Sequence, residues 1–381
     1  MRLDKFLEKK PLYYAEIDYT RMPRAYASIK DKLHIPPIIH LVGTNGKGTT
    51  GRFIANALYA LDFEVGHYTS PHIQAFNERI WLNGENCEDD RLEEAHNRLQ
   101  ELLSKEFKES LSYFEYTTFL AMIVYEKCDY VVLEAGLGGE YDATNVFDKV
   151  LSVITPIGMD HEDFLGSSIT EIAGTKLRSV RGKAIVAKQV FQEVIEVSKE
   201  LSSENELEFI SYLDYLDEDM VSLAEEIAEQ QEMPHYLQEN LLLSMSVIKE
   251  LGYKVKKNLF NSQRLEGRMQ RIRPNIWLDV GHNTLAAEAI SHSFAPKSVN
   301  LVYNSYKDKD YLSILALLAP IVKKVEIISI VDDRIASRGD LEAAIIQNGL
   351  EYKTFEKVLD EENYLVFGSF SVVEAFKKFV E

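Results

Sequence analysis

The sequence predicts an α/β protein, with a large doubly wound parallel-sheet domain followed by a smaller α/β domain. Three observations point there. Apolar, β-branched runs alternate with helical patterns through most of the 381 residues. The runs are nearly continuous in their apolar character, as strands covered on both faces require. The alternation restarts after a polar, basic break near Gln263 to Asn275, which carries Gly267 and Pro274. A break of that composition reads as an interdomain linker. It divides the chain into residues 1–265, a linker at 266–275, and residues 276–381.

The elements follow in order. Ile38 to Val42 reads as a buried strand ending in a glycine loop. Phe53, Ile54, Ala57, Leu58 and Leu61 follow at helical spacing. Tyr130 to Leu133, Val150 to Ile154 and Ala184 to Val186 supply further buried strands. The stretch from Asp214 to Glu232 is acidic and helix-prone, and reads as a solvated helix. Beyond the break, strands are expected at Ile276 to Val280, Val299 to Tyr303, Val325 to Val331 and Tyr364 to Phe367.

Composition excludes several functions. The hydrophobic content of 46% supports a large core. No run approaches the ~18 consecutive apolar residues of a membrane span, and Met1 to Lys10 lacks the apolar stretch of a signal peptide. Cys87 and Cys128 are too few for a disulfide framework, which suits a reducing cytoplasm. A net charge of −19 disfavours nucleic acid. Any nucleotide site in so acidic a chain must gather its positive field locally, from backbone N–H groups, a few cations and bound metal.

Four segments carry chemistry. Gly43-Thr44-Asn45-Gly46-Lys47-Gly48-Thr49-Thr50 lies between an expected strand and an expected helix. Its glycines let the backbone curl so that N–H groups face phosphate oxygens, and the helix N-terminus adds partial positive charge. Lys47 suits the outer phosphates and the Thr49 hydroxyl suits magnesium. Gly48 separates Lys47 from Thr49, a departure from the usual phosphate-loop spacing. Glu134 stands at the carboxyl end of the second strand, before Gly136, Gly138 and Gly139, where ligands of a doubly wound sheet sit. A carboxylate there suits magnesium. His161, in the run Asp160 to Gly166, occupies a polar loop after the next core strand, on the same edge. Asp279, in the run Ile276 to Asn283, ends a strand of the second domain, where a carboxylate can accept from a ribose hydroxyl.

Taken together and in this order, these segments resemble the folylpolyglutamate synthase/dihydrofolate synthase branch of the Mur ligase superfamily. The same resemblance runs through YTSPH at Tyr68 to His72, YFEYTT at Tyr113 to Thr118, and LEAGLGG at Leu133 to Gly139. It continues in DATN at Asp142 to Asn145, EGRMQ at Glu266 to Gln270, LDVGHN at Leu278 to Asn283, YKDKD at Tyr306 to Asp310, and FGSFSVV at Phe367 to Val373. It implies a phosphate-loop NTPase-like, ATP-binding central domain and a smaller Rossmann-like, glutamate-ligase domain.

The resemblance also implies roles. Thr44, Asn45, Gly46, Lys47, Gly48 and Thr49 would hold the triphosphate, with Asn240, Arg268 and Asp279 on the adenine nucleotide. Ser70, Glu134 and His161 would ligate magnesium, with two ions in the site. Ser112, Tyr113, Phe114, Glu115, Tyr141, Asp142 and Ala143 would contact the pterin substrate, and His282 is a further substrate residue. Lys176 aligns with a lysine carried as a carbamate, which makes Lys47, His161 and Lys176 the catalytic set. Around it the family's flanking Glu and Ala-Gly-Ile are replaced by Thr175 and Leu177-Arg178.

The implied reaction is ATP-dependent ligation of L-glutamate to dihydropteroate or a reduced folate, by a monomer, with neither nucleic acid nor membrane as partner. The substrate carboxylate attacks the γ-phosphoryl group, and the glutamate amine then displaces phosphate from the acyl phosphate. Water must be excluded, so closure of the two domains is expected. The alternatives are a Mur-type ligase acting on a peptidoglycan precursor and a phosphate-loop NTPase switch.

Overall fold

The near-continuous apolar runs become the central strands of two sheets in the computed structural model, which describes residues 1–11, 18–262 and 264–380. The chain forms two units. The first contains residues 1–157, 162–224 and 240–262, and the second contains 158–161, 225–239 and the chain from the polar break onward.

The first unit is built on strands β1 (Ile38–Val42), β2 (Val65–Tyr68), β3 (Ile80–Leu82), β4 (Glu85–Asn86), β5 (Tyr130–Glu134), β6 (Leu151–Ile154), β7 (Lys183–Val186) and β8 (Glu208–Ser211). Their order is β4-β3-β2-β5-β1-β6-β7-β8. The pairings from β2 across to β8 are parallel, and β3 and β4 add an antiparallel edge. β1 is buried along its whole length, as its Ile-Ile-His-Leu-Val sequence demands. After β5 the chain crosses β1 to reach β6, so the winding reverses beside β1. A reversal of this kind opens a crevice at the carboxyl ends of the flanking strands. The helix Lys47–Tyr59 follows β1 and is buried from Gly48 to Leu58, packed on β2 and β5. On the β2–β5 side, Leu99, Tyr116, Phe119, Leu120 and Val131 form the core.

The second unit is built on β9 (Gln270–Arg273), β10 (Ile276–Leu278), β11 (Val299–Tyr303), β12 (Val322–Ile327), β13 (Tyr352–Thr354) and β14 (Tyr364–Phe367). Their order is β13-β12-β11-β14-β10-β9, parallel except for β9. Leu301, Leu315, Val325 and Leu365 lie in its core.

Three expectations change. The stretch 266–275 is not only a connection: Gln270–Arg273 pairs antiparallel with β10, and its alternating half-buried, exposed pattern is that of an edge strand. Gln263, with which that break was expected to begin, lies outside the described residues. The strand expected at Val325 to Val331 starts at Val322 and ends at Ile327. The acidic stretch contains the helix Glu218–Gln230, but Met220, Ala224, Ile227 and Ala228 are buried at helical spacing. Only its acidic face meets solvent. Among the described residues, no helix is long and apolar enough to cross a membrane.

Candidate functional site

The loop after β1 is shaped by two glycines. Gly43 has φ +155°, and a Cβ on it would stand 2.0 Å from the Thr155 hydroxyl oxygen. Gly46 has φ +89°, and a Cβ there would meet the Asn240 side-chain oxygen at 2.7 Å. Only glycine lets the chain approach that closely in those conformations. The N–H groups of Thr44 and Asn45 both donate to the Pro156 carbonyl, at 2.9 and 3.2 Å. They anchor the loop to the segment after β6. The first turn of Lys47–Tyr59 leaves backbone N–H groups without intrahelical acceptors, and its N-cap, Gly46, offers no side chain to cap them.

Two lysines meet on this loop. Lys47 Nζ donates to the carbonyls of Gly43 and Thr44, at 3.1 and 3.2 Å. Lys176, on the helix Ile169–Leu177, is 4% exposed, and its Nζ donates to the same Gly43 carbonyl at 3.0 Å. It is not a surface lysine. Its altered neighbours do not disturb this arrangement: Thr175 donates its hydroxyl back to Glu171 within the helix, and Leu177 is core.

At the end of β5, Glu134 is buried and accepts from the Thr69 hydroxyl and, at 3.3 Å, from the Ser70 N–H. Two of the three expected magnesium ligands are thus brought together, and their oxygen atoms suit a hard divalent cation. Thr69 was not anticipated; nothing in the sequence distinguishes it from its neighbours.

The expected pterin residues divide into two groups. Ser112 and Glu115 cap the helix Tyr113–Val124 reciprocally: the Glu115 N–H donates to Ser112 Oγ at 3.1 Å, and the Ser112 N–H to Glu115 Oε2 at 2.7 Å. Arg21 Nε donates to both Glu115 oxygens, at 2.9 and 3.2 Å, in a buried ion pair. Tyr113 lies beneath the Arg79 guanidinium, 5.2 Å from its ring centre, and Phe114 abuts Gly136. The second group is Tyr141 to Ala143. Asp142 is buried and accepts from the Leu137 N–H at 2.8 Å, the Thr144 N–H at 2.9 Å and the Thr144 hydroxyl at 2.5 Å. Burial pushes its carboxyl above the ordinary aspartate value, against those hydrogen bonds.

In the second unit, Asp279 follows β10 and is buried. Its Oδ2 accepts from the Tyr236 hydroxyl at 2.6 Å and the Met269 N–H at 2.9 Å, and its Oδ1 from the Gly281 N–H at 2.8 Å. Arg268 lies over the Phe370 ring at 5.2 Å. His161 also belongs to this unit, with Asp160. Asp160 accepts from Lys309 Nζ at 2.7 Å and from the Asn283 amide at 3.3 Å, while His282 Nε2 stands 3.7 Å away. His282 Nδ1 lies 3.1 Å from the Val280 carbonyl, which holds the ring in this orientation. Burial opposes the charge on Asp160, but the hydrogen bond and charge of His282, with His161 and Lys309, hold its carboxyl well below the ordinary range. Sequence reasoning missed Asp160 and Lys309 as a pair, because 149 positions separate them. Among the described residues, no group of three or more His, Cys, Asp or Glu side chains gathers as a metal cluster.

No family model matches the chain. It is 30% identical to the dihydrofolate synthase/folylpolyglutamate synthase of Escherichia coli, over 89% of this chain and 85% of that protein. It is similar to the crystal structure of Helicobacter pylori folylpolyglutamate synthetase, with 38% identity, a TM-score of 0.80, and 99% and 97% of the two chains covered. The chain belongs to the dihydrofolate synthase/folylpolyglutamate synthase family. A bifunctional synthase of the same name, solved with Mn, AMPPNP and L-glutamate bound, shares the fold at a TM-score of 0.82 and 23% identity, with 100% and 98% covered.

As a member of this synthase family, the chain is an ATP-dependent ligase that joins L-glutamate to a folate-type carboxylate. The two-sheet architecture expected from the sequence is the architecture of the folylpolyglutamate synthases. The family assignment decides against the peptidoglycan-precursor ligase and the NTPase switch.

Proposed function

We propose that this synthase activates the carboxylate of dihydropteroate or a reduced folate as an acyl phosphate on the Gly43–Thr49 loop, and passes the acyl group to L-glutamate. The observation that carries the reading is the convergence of Lys47 and Lys176 on the Gly43 carbonyl, beside the reversal of the winding at β1. A transferring phosphoryl group needs charge neutralisation and alignment rather than covalent help. Lys47, now resting on loop carbonyls, has the reach to exchange them for phosphate oxygens.

The other roles follow residue by residue. Thr44, Asn45, Gly46, Gly48 and Thr49 shape the triphosphate seat, and Asn240, beside Gly46, borders it. Arg268 and Asp279 are assigned to the nucleotide; the donors on Asp279 fix its orientation. Ser70, Glu134 and His161 would hold magnesium, as two ions in this reading, which would neutralise phosphate charge. Carbon dioxide would add to the neutral Lys176 amine with loss of a proton, and the resulting carbamate would give the site an anion. Ser112 to Glu115 and Tyr141 to Ala143 would form the folate side, and His282 would be a further substrate contact. The enzyme would act as a cytoplasmic monomer.

Incubation with MgATP and labelled glutamate, offering dihydropteroate and tetrahydrofolate separately, tests the reading. It predicts one-glutamate mass additions to at least one acceptor. ATP turnover that is fast without either acceptor, and unaltered by adding it, would sink the proposal.

A further inference from the structure

Arg79 closes the short 3-10 turn Phe76–Arg79 and leads into β3. It is 9% exposed, and among the described residues no carboxylate pairs with it. Glu78, the neighbouring carboxylate, is engaged elsewhere. It accepts from the N–H groups of Ile73, Gln74 and Ala75, at 2.7, 2.8 and 2.7 Å. Burying a charge without a counter-charge is costly. A bound anion would offset that cost through charge-assisted hydrogen bonds.

The guanidinium is fixed on two sides. Its Nε donates to His72 Nδ1 at 2.7 Å, and its carbon stands 5.2 Å from the Tyr113 ring centre. The backbone is fixed as well: the Thr69 N–H donates to the Arg79 carbonyl at 3.0 Å, and β2 pairs with β3 so that Tyr68 lies opposite Ile80. The terminal nitrogens, Nη1 and Nη2, have no partner in the protein, and they are not among the fully enclosed, unpartnered atoms of the described residues. They are therefore open to a ligand.

The neighbours identify that ligand. Thr69, bonded to the Arg79 carbonyl, gives its hydroxyl to Glu134, and Ser70 follows with its N–H on the same carboxylate. Those are the candidate magnesium oxygens, whereas Tyr113 belongs to the candidate pterin group. All of them lie in the first unit. We infer that Arg79 is a further catalytic residue, whose two open guanidinium nitrogens bind the carboxylate that is to be activated. The inference rests on the acyl-phosphate reading and deepens it. A guanidinium fork matches the two oxygens of a carboxylate. Held there, it would offset the repulsion between that carboxylate and the triphosphate and aim one oxygen at phosphorus. As that oxygen bonds to the γ-phosphorus, the bond from phosphorus to the bridging oxygen breaks and its electron pair leaves with ADP. No proton moves in this step.

The test uses the acceptor that the parent turns over, dihydropteroate or tetrahydrofolate, and the same compound with its reacting carboxylate converted to a carboxamide. Titration calorimetry with MgAMPPNP present gives the affinity of each for the parent, Arg79→Met and Arg79→Lys. Arg79→Met should bind the carboxylate roughly 10- to 100-fold more weakly than the parent does, the scale of one charge-assisted pair. It should bind the carboxamide like the parent. Arg79→Lys keeps the charge without the fork, so its loss should be smaller and confined to the carboxylate. That variant decides the matter if the methionine variant does not fold. Equal losses on both compounds would give Arg79 a structural role, and an unchanged affinity for the carboxylate would remove it from the substrate; either overturns this inference alone. If the parent ligates glutamate to neither acceptor, the functional reading fails and takes this inference with it.

Discussion

At the Gly43 carbonyl, one acceptor serves two lysines, and the two carry different expectations. Lys47→Ala should lower ligation on the order of 10² or more at saturating MgATP, with the circular dichroism of the parent. Parent-like turnover would remove Lys47 from the phosphate site. Lys176→Ala should be inactive and partly rescued by added formate or acetate, which can replace a lost carbamate; full activity without rescue would remove the carbamate. Asp160 carries a pH expectation. Burial works against its charge, but His282, His161 and Lys309 prevail and hold the folded-state carboxyl well below the ordinary aspartate value. The stability this contributes is complete above about pH 4 and is lost as pH falls through the folded-state value. Acid unfolding of Asp160→Asn should accordingly be shallower than that of the parent below about pH 4, from a lower stability at neutral pH because Lys309 loses its buried partner. Identical acid-unfolding profiles would contradict the ion pair.

Among the elements, the start of the helix Tyr113–Val124 separates two contributions that the sequence merges. Ser112→Ala removes one cap and should cost about 1 kcal/mol. Glu115→Ala removes the reciprocal cap and also strands buried Arg21, and should cost about 3–5 kcal/mol. Denaturant unfolding checks the order, and equal losses would contradict the buried pair. At Gly43, a Cβ would meet the Thr155 carbonyl oxygen at 2.8 Å as well as its hydroxyl. Gly43→Ala should therefore disrupt the loop, and adding Thr155→Ala should not restore nucleotide binding; restored affinity would show that the hydroxyl alone forbids the methyl. The same elements show what the sequence makes legible. β1, β5, β11 and β14 are continuous apolar runs because both faces are covered, and the reading finds them. β4, β9 and β13 are polar edge strands, whose pairing depends on a neighbour rather than on their own pattern. The helix caps are local and readable, but Arg21 with Glu115, 94 positions apart, meets only in the fold.

For the whole molecule, a net charge of −19 requires a phosphate site to collect cations against the general field. The winding does this: it ends β1 and β5 beside one another, so that the strand leading to Lys47 pairs with the strand end that carries Glu134, a candidate magnesium ligand. The glycine loop, Glu134 and the order of the motifs are legible because each is a strand-end pattern in a predicted parallel sheet. The contacts that hold them, the Thr69 hydroxyl on Glu134 and the Pro156 carbonyl on the loop, are set by topology rather than by a pattern in the sequence. The account's central claim is that the substrate carboxylate receives the γ-phosphoryl group. It is tested most directly with dihydropteroate, or a reduced folate, labelled with ¹⁸O in that carboxylate. If an acyl phosphate forms and the glutamate amine attacks its carbon, one carboxylate oxygen leaves with phosphorus, and each turnover should deposit one ¹⁸O in inorganic phosphate. Phosphate free of carboxylate oxygen, released while the amide product still accumulates, would contradict it.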